Sequence, residues 1–160
     1  MRFSTVRAAA PAAGFPWRMR WRRCGPSVIV VDASVLVVAL GDDGQDGDNA
    51  RLRLRGENLA APELIDLEVV SVLRRQVSRG ELDDRRAAQA LSDLVGLPLK
   101  RAPHRPLLDR CWELRGNLTA YDAAYVALAE ALDSTLLTGD ARLARSAGHR
   151  CKIEICRSVP

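Results

Sequence analysis

The stretch VIVVDASVLVVAL (28–40) decides the fold class of this chain. Its first four residues, Val28–Val31, form a continuous β-branched run, which is typical of a parallel strand buried on both faces of a sheet. Asp32 ends the run, and residues 33–40 are predicted to form a helix. A buried strand followed directly by a helix is the first half of a βαβ unit.

The rest of the chain continues this alternation. Further strands are predicted at 58–61, 97–101, 134–138 and 152–156, and helices at 49–56, 62–79, 83–94, 106–115, 119–132 and 141–147. The polar stretch GDDGQDGD (41–48) is predicted to be a loop. Pro62 is expected to open the longest helix, and Gly80 to end it. Strands alternating with helices at this spacing predict an α/β domain with a mainly parallel sheet.

The net charge of +4 is unevenly distributed over the 160 residues. Residues 1–26 hold six of the 24 basic residues and no acid, which leaves 18 basic residues against 20 acidic ones. We therefore predict a disordered or non-native basic leader over 1–26 and one domain over 27–160. The mild acidity of that domain excludes a uniformly basic coat for nucleic acid.

Cysteine and hydropathy patterns point to the cytoplasm. The four cysteines show no CxxC spacing, and the two histidines lie far apart, so neither a zinc site nor a disulfide framework is expected. No apolar run approaches the roughly 20 residues of a membrane span. We expect free thiols in a reducing compartment and no membrane association.

Two acids follow predicted strands. Asp32 comes directly after the first strand, and Asp140 follows the strand at 134–138. In open parallel sheets, ligands bind outside the carboxyl ends of the strands, so these side chains are candidates for one crevice. Each also precedes a predicted helix, and aspartate is a good helix N-cap, so capping remains the alternative for either residue.

Two further acids lie on predicted helices. The residues three and four positions from Glu68 offer no cation; they are Leu64, Ile65, Ser71 and Val72. A carboxylate buried beside that apolar stripe needs a partner, a metal ion or a raised pKa. Asp122 fits the capping box of Thr119-Ala-Tyr-Asp122, which places it in the first turn of its helix. That position still allows its carboxylate to face a crevice.

A set of carboxylates without other catalytic groups indicates a hard cation. The sequence contains neither GxxxxGK[ST] nor GxGxxG, and its two histidines do not suggest a nucleophilic triad. Carboxylate clusters suit Mg²⁺ or Mn²⁺. Such ions promote phosphodiester hydrolysis because they activate water and neutralise charge on the reacting oxygens.

Residues 28–156 resemble the PIN-domain ribonucleases, and in particular the VapC-type toxins of type II toxin–antitoxin systems. The segments that carry the resemblance are VIVVDASVLV (28–37), APELIDLEVVSVLRR (61–75), LTAYDAAYVALAEAL (118–132) and STLLTGDARLAR (134–145). The resemblance implies a PIN-like three-layer α/β/α fold with a central, mainly parallel sheet. It also implies a Mg²⁺- or Mn²⁺-dependent endoribonuclease that inhibits translation or growth when no antitoxin is bound.

The resemblance also implies the site and the partners. The matching acids, which would be both catalytic and metal-binding, are Asp32, Glu68, Asp122 and Asp140, with Ser34 and Thr138 as supporting polar residues. The implied partners are RNA, a cognate VapB-type antitoxin, and a second copy of the chain or a toxin–antitoxin hetero-oligomer. Arg74 and Arg75 are candidates for contact with RNA or antitoxin, and solvated helix faces are the alternative for both.

Two other functions compete with this interpretation. A catalytically inactive PIN-like domain could bind RNA or a partner without cutting, although the presence of all four acids argues against it. A phosphoacceptor receiver domain also carries acids at strand ends, but it requires paired acids after the first strand. Here Asp32 is followed by Ala33.

Overall fold

A computed structural model describes residues 28–156 of the chain. The predicted basic leader at 1–26 lies outside the described residues, as do residue 27 and residues 157–160 of the predicted domain. The strands are β1 (Val28–Val31), β2 (Asn58–Pro62), β3 (Leu99–Ala102), β4 (Thr135–Thr138) and β5 (Ile153–Ile155). The helices are α1 (Ala33–Gly41), α2 (Gln45–Leu54), α3 (Ile65–Ser78), α4 (Asp84–Gly96), α5 (Leu108–Leu114), α6 (Ala120–Leu132) and α7 (Ala141–Arg145), and a short 3₁₀ turn (Arg105–Leu107) precedes α5.

The five strands form one parallel sheet in the order β3-β2-β1-β4-β5. β1 is the central strand, and its Ile29 pairs with Leu59 of β2 on one side and with Thr135 of β4 on the other. The chain adds β2 and β3 on one side of β1 and then returns to add β4 and β5 on the other. This reversal creates a topological switch point between β1 and β4, where a crevice opens at the carboxyl ends of the strands.

Helices cover both faces of the sheet, which confirms the predicted three-layer α/β/α architecture. α1 packs against α2, α3 and α4, while α6 packs on β1, β2 and β4 and is covered by α5. Right-handed crossovers put these two groups on opposite faces, because the connections run in opposite directions across the sheet. No helix within residues 28–156 has the length and apolar character that crossing a membrane requires.

The core is built almost entirely from aliphatic side chains. Val30, Leu36 and Leu136 are fully buried at its centre. Every residue of α6 from Ala123 to Ala129 is buried, and four of these seven are alanine. Small side chains let the helix axis approach the sheet closely, so a core with few aromatic residues can still be dense.

The predicted starts of two helices are wrong by more than two residues, and the other boundaries shift by at most two. The polar stretch at 41–48 is not all loop, because α2 already begins at Gln45. Asp46 and Asp48 lie in its first turn, where negative charge interacts favourably with the helix dipole. Pro62 does not open the next helix; it pairs with Ala102 in the sheet, and α3 starts at Ile65. Pairing with β3 is a long-range contact that local sequence signals do not encode.

Candidate active site

Asp32 occupies the carboxyl end of the central strand, at the switch point. Its backbone has the extended conformation of a helix N-cap, yet its side chain makes no capping hydrogen bond. The carboxylate instead accepts hydrogen bonds from the hydroxyls of Ser34, at 2.9 Å, and Thr138, at 2.5 Å. Both hydroxyls donate to the same oxygen, Oδ2. The capping interpretation therefore fails for Asp32, and among residues 28–156 its other oxygen, Oδ1, accepts no side-chain hydrogen bond.

The same two hydroxyl groups also bind the backbone of the loop after β4. Ser34 Oγ accepts a hydrogen bond from the Gly139 amide at 2.9 Å, and Thr138 Oγ1 accepts one from the Asp140 amide at 3.0 Å. A Cβ at position 139 would lie only 3.1 Å from Ser34 Oγ, so glycine permits this close approach. These bonds fix the position of Asp140 relative to Asp32.

Asp140 does act as a helix cap, as the alternative interpretation held. Its carboxylate accepts a hydrogen bond from the Arg142 amide at 2.7 Å and pairs with Arg142 Nη2 at 2.9 Å. The hydrogen bond from the Arg142 side chain holds the pKa of the Asp140 carboxyl below its ordinary value. Asp140 is therefore ionised and already carries a cationic partner.

Glu68 is half-buried and has no cationic partner among residues 28–156. Burial raises the pKa of its carboxyl, and the negative charges of Asp32 and Asp122 raise it further. A hydrogen bond from the Tyr125 hydroxyl, 2.5 Å long, opposes this rise by stabilising the ionised form. Glu68 therefore carries an unfavourable charge in the metal-free protein.

Asp122 lies in the first turn of α6, as the capping box predicted. The hydroxyl of Thr119 accepts a hydrogen bond from the Asp122 amide at 3.2 Å and donates one to its carboxylate at 2.8 Å. This short-range bonding leaves the side chain only partly buried. Its negative charge raises the pKa of Glu68 and contributes to the raised pKa of Arg142.

The donor chemistry of the four acids suits a hard divalent cation. The negative charges of Asp32 and Asp122 raise the pKa of Glu68, and a bound cation would relieve this repulsion. In the conformation described for residues 28–156, however, no three acidic, histidine or cysteine side chains converge closely enough to hold a metal ion. Binding would therefore require rotation of side chains, such as that of Asp140 away from Arg142.

Comparison with known proteins identifies the fold family. The model of the PIN domain matches residues 29–148. The chain belongs to the PIN-domain family. It is 46% identical over 129 residues to Ribonuclease VapC1 of Mycobacterium tuberculosis, which covers 80% of this chain and 97% of that protein. The predicted membership of the PIN-domain family, among the VapC proteins, is therefore confirmed.

Solved structures of VapC proteins share the fold. The sarcin-ricin loop cleaving toxin VapC20 of Mycobacterium tuberculosis superposes with a TM-score of 0.58 at 15% identity, covering 76% of this chain and 95% of VapC20. VapBC2 from Rickettsia felis, bound to a DNA fragment from its promoter, gives a TM-score of 0.55 at 16% identity, with 80% of this chain and 98% of that chain covered. These similarities support the PIN fold for residues 28–156.

Two residues that contact these acids, Tyr125 and Arg142, were not among the predicted site residues. Tyr125 was not singled out, although a tyrosine buried in an otherwise apolar helix needs a partner for its hydroxyl. Arg142 was also missed, although it lies two residues after Asp140. Arg74 and Arg75 are exposed on the second half of α3, more than a helical turn beyond Glu68. Their predicted contact with RNA or antitoxin stays a prediction.

Replacing Thr138 by valine tests the hydroxyl network of this PIN domain. The Thr138 side chain is fully buried and serves both Asp32 and the Asp140 amide. Its loss leaves a carboxylate oxygen and an amide short of a partner, so we expect the free energy of unfolding to fall by about 1–3 kcal/mol. Urea unfolding measures this change. Thr135→Val on the same strand is the matched control, and equal stability of the two variants would contradict the prediction.

Proposed function

We propose that the chain is a metal-dependent endoribonuclease, the toxin of a VapBC-type toxin–antitoxin pair. The single observation that carries this proposal is Glu68 of this PIN fold, which is half-buried, has no cationic partner within residues 28–156 and is subject to the negative charges of Asp32 and Asp122. The ribonuclease activity named for its VapC relatives supports the choice of RNA as the substrate.

All four acids would serve as metal ligands, and neighbouring side chains would hold them in place. Asp32, Glu68, Asp122 and Asp140 would hold one or two Mg²⁺ or Mn²⁺ ions. When bound, the metal supplies a water molecule of lowered pKa and neutralises charge on the phosphate. The side chains of Ser34 and Thr138 keep Asp32 in place, and Tyr125 holds Glu68. Preorganisation of this kind lowers the cost of assembling charged groups at the moment of reaction.

Incubation of the purified protein with RNA tests the proposal. We expect discrete new RNA 5′ ends in the presence of Mg²⁺ or Mn²⁺, and none when EDTA is added. The rival function is an inactive PIN-like module that binds RNA or a partner. The ion pair between Asp140 and Arg142 favours that rival, because the Asp140 carboxylate is bound to a guanidinium and must leave it to bind a metal ion. Binding of RNA without any new ends, by folded protein with added metal, would establish the rival.

The pH dependence of the free energy of unfolding tests whether the ionised Glu68 carboxylate destabilises the metal-free fold. Because its pKa is raised above the ordinary value of 4.5, the folded state holds this proton more tightly than the unfolded state does. Ionisation of Glu68 therefore lowers the stability of the metal-free protein. This loss begins near pH 4.5, where the unfolded chain loses the proton, and is complete once the pH has passed the raised pKa of the folded state. We expect Glu68→Gln to gain stability over the wild type across this window.

Urea unfolding in EDTA, repeated from about pH 4.5 to about pH 8, measures this difference. Exposed Glu63→Gln is the matched control. Added Mn²⁺ should stabilise the wild type more at the upper end of the range and should stabilise Glu68→Gln less. A Glu68→Gln variant whose stability stays parallel to that of the wild type at every pH would refute this account.

A groove beside the acids is suited to a partner segment. It has a volume of about 550 Å³ and runs between α1, α2 and the ends of β4 and β5. Its lining combines the acids Asp46 and Asp140 with apolar side chains such as Val38 and Ile155. We propose that an antitoxin tail carrying a cation and apolar residues occupies it, in a cytoplasmic complex that also contains a second copy of the toxin. Co-purification with the product of an adjacent gene, with the mass of the complex measured, tests this.

A further inference from the structure

An exposed aromatic residue, Tyr121, lies on the helix that carries Asp122 and Tyr125. Tyr121 lies four residues before Tyr125 on α6, and residues four apart share one face of a helix. Because Tyr125 reaches Glu68, that face is turned towards the carboxylates. Tyr125 is 2% exposed, whereas Tyr121, one turn nearer the start of the helix, is 64% exposed. The inner tyrosine supports the site, and the outer one is open to a ligand.

An exposed guanidinium, that of Arg142, is paired with the fourth acid, Asp140. The side chain of Arg142 is 87% exposed and is anchored by its ion pair with Asp140. The hydrogen bond that Arg142 donates to Asp140 raises the pKa of Arg142, and the charge of Asp122, the neighbour of Tyr121, contributes as well. The cation on α7 is thus linked through Asp140 and Thr138 to Asp32. The exposed ring lies on α6, the helix that carries Asp122.

We propose that Tyr121 and Arg142 form the RNA-contacting rim of the acid site. The Tyr121 ring stacks on a nucleobase next to the phosphate that is cut, and the Arg142 guanidinium binds a neighbouring phosphate. This inference rests on the proposed function and names the residues that hold the strand. Single-stranded RNA offers unstacked bases to aromatic side chains and phosphates to arginine, which is the chemistry that this rim presents.

A second exposed aromatic residue lacks these features. Trp112 is 69% exposed on α5, a helix that contributes none of the four acids. The guanidinium of Arg115 lies over its ring, 4.5 Å from the centroid, and among residues 28–156 no such cation covers Tyr121. Trp112 is therefore the matched control for Tyr121. Arg145, one turn beyond Arg142 on α7 and also exposed, is the control for the guanidinium.

RNA binding tests the inference without interference from cleavage. Fluorescence anisotropy with a labelled single-stranded oligonucleotide, in Mg²⁺, uses Asp32→Asn as the parent protein. We expect Tyr121→Leu to weaken binding about ten-fold, and Tyr121→Phe to bind like the parent because it keeps the ring face. Arg142→Gln should reduce the slope of log affinity against log salt concentration by about 0.7, as expected for one lost phosphate contact on a single strand.

The controls decide between this inference and its rivals. Trp112→Leu and Arg145→Gln should leave both the affinity and the salt slope unchanged. Equal loss of affinity in Tyr121→Phe and Tyr121→Leu would overturn stacking, since the hydroxyl would then be the contact. Unchanged RNA binding in Tyr121→Leu would overturn the RNA-contacting rim. If the oligomeric mass changes as well, Tyr121 contacts a protein partner; if it does not, Tyr121 makes no contact of either kind.

Failure of this inference is distinct from failure of the proposed function. Wild-type protein that cleaves RNA while Tyr121→Leu and Arg142→Gln bind and cleave equally well would overturn the rim alone. Wild-type protein that cuts no RNA in Mg²⁺ or Mn²⁺ would overturn the proposed function, whatever the binding data show. In cleaving protein, Tyr121→Leu should raise KM far more than it lowers kcat.

Discussion

Asp32→Asn is expected to lower the rate of RNA cleavage at least about a hundred-fold, the largest effect on activity of any change considered for this protein. Asp32 lies at the carboxyl end of the central strand, where the sheet topology reverses. Its Oδ2 is held by Ser34 and Thr138, so the side chain is fixed in one orientation. Asparagine keeps this shape but removes the charge that would bind the metal ion.

The fold should tolerate this change. An asparagine carbonyl can accept the same two hydroxyl hydrogen bonds, and loss of a negative charge relieves repulsion of Glu68. Cleavage of a defined RNA in Mn²⁺ measures the activity, and urea unfolding measures the stability. Asp93→Asn on the exposed face of α4 applies the same chemical change away from the site and should cleave like the wild type. Full activity of Asp32→Asn would exclude Asp32 as an essential metal ligand.

Leu36→Ala is expected to cause the largest loss of stability, about 2–5 kcal/mol. Leu36 is fully buried on α1, the helix that packs against α2, α3 and α4. The loss combines the transfer free energy of the missing methyl groups with the cost of the cavity left beneath the helix. Because the whole domain has a stability of roughly 5–15 kcal/mol, such a loss is a large fraction of it.

An exposed leucine provides the control for this prediction. Leu52 on α2 is 68% exposed, so Leu52→Ala removes the same atoms without creating a cavity. Its stability should stay within about 0.5 kcal/mol of the wild type. Urea unfolding with unchanged m-values gives both numbers. Similar losses in the two variants would mean that burial of Leu36 does not stabilise this core.

Sequence patterns predicted most elements because their causes are local. The β-branched run of β1 and the capping box of Thr119 and Asp122 depend on neighbours within a few residues. The start of α3 could not be predicted in this way. Pro62 is a good first residue for a helix, and only its pairing with Ala102, forty residues later, keeps it in the sheet.

The candidate site shows the same division. The sequence indicated that Glu68 lies beside the core without a cation nearby in the helix, and it placed Asp32 after a buried strand. It did not reveal that Glu68 accepts a hydrogen bond from Tyr125, fifty-seven residues away, or that Asp140 forms an ion pair with Arg142. Hydrogen bonds between distant elements depend on how those elements are packed, which no local periodicity records.

By itself, the sequence determined the alternation of strands and helices, the parallel sheet and the acids at strand ends, because hydrophobic period and turn chemistry act over a few residues. Only the tertiary structure decided which distant side chains bind these acids. The order β3-β2-β1-β4-β5 puts β1 beside β4, and so brings the hydroxyl of Thr138 to Asp32 across 106 residues of chain. Strand order follows from packing of the whole core, and the acid site forms where that order reverses.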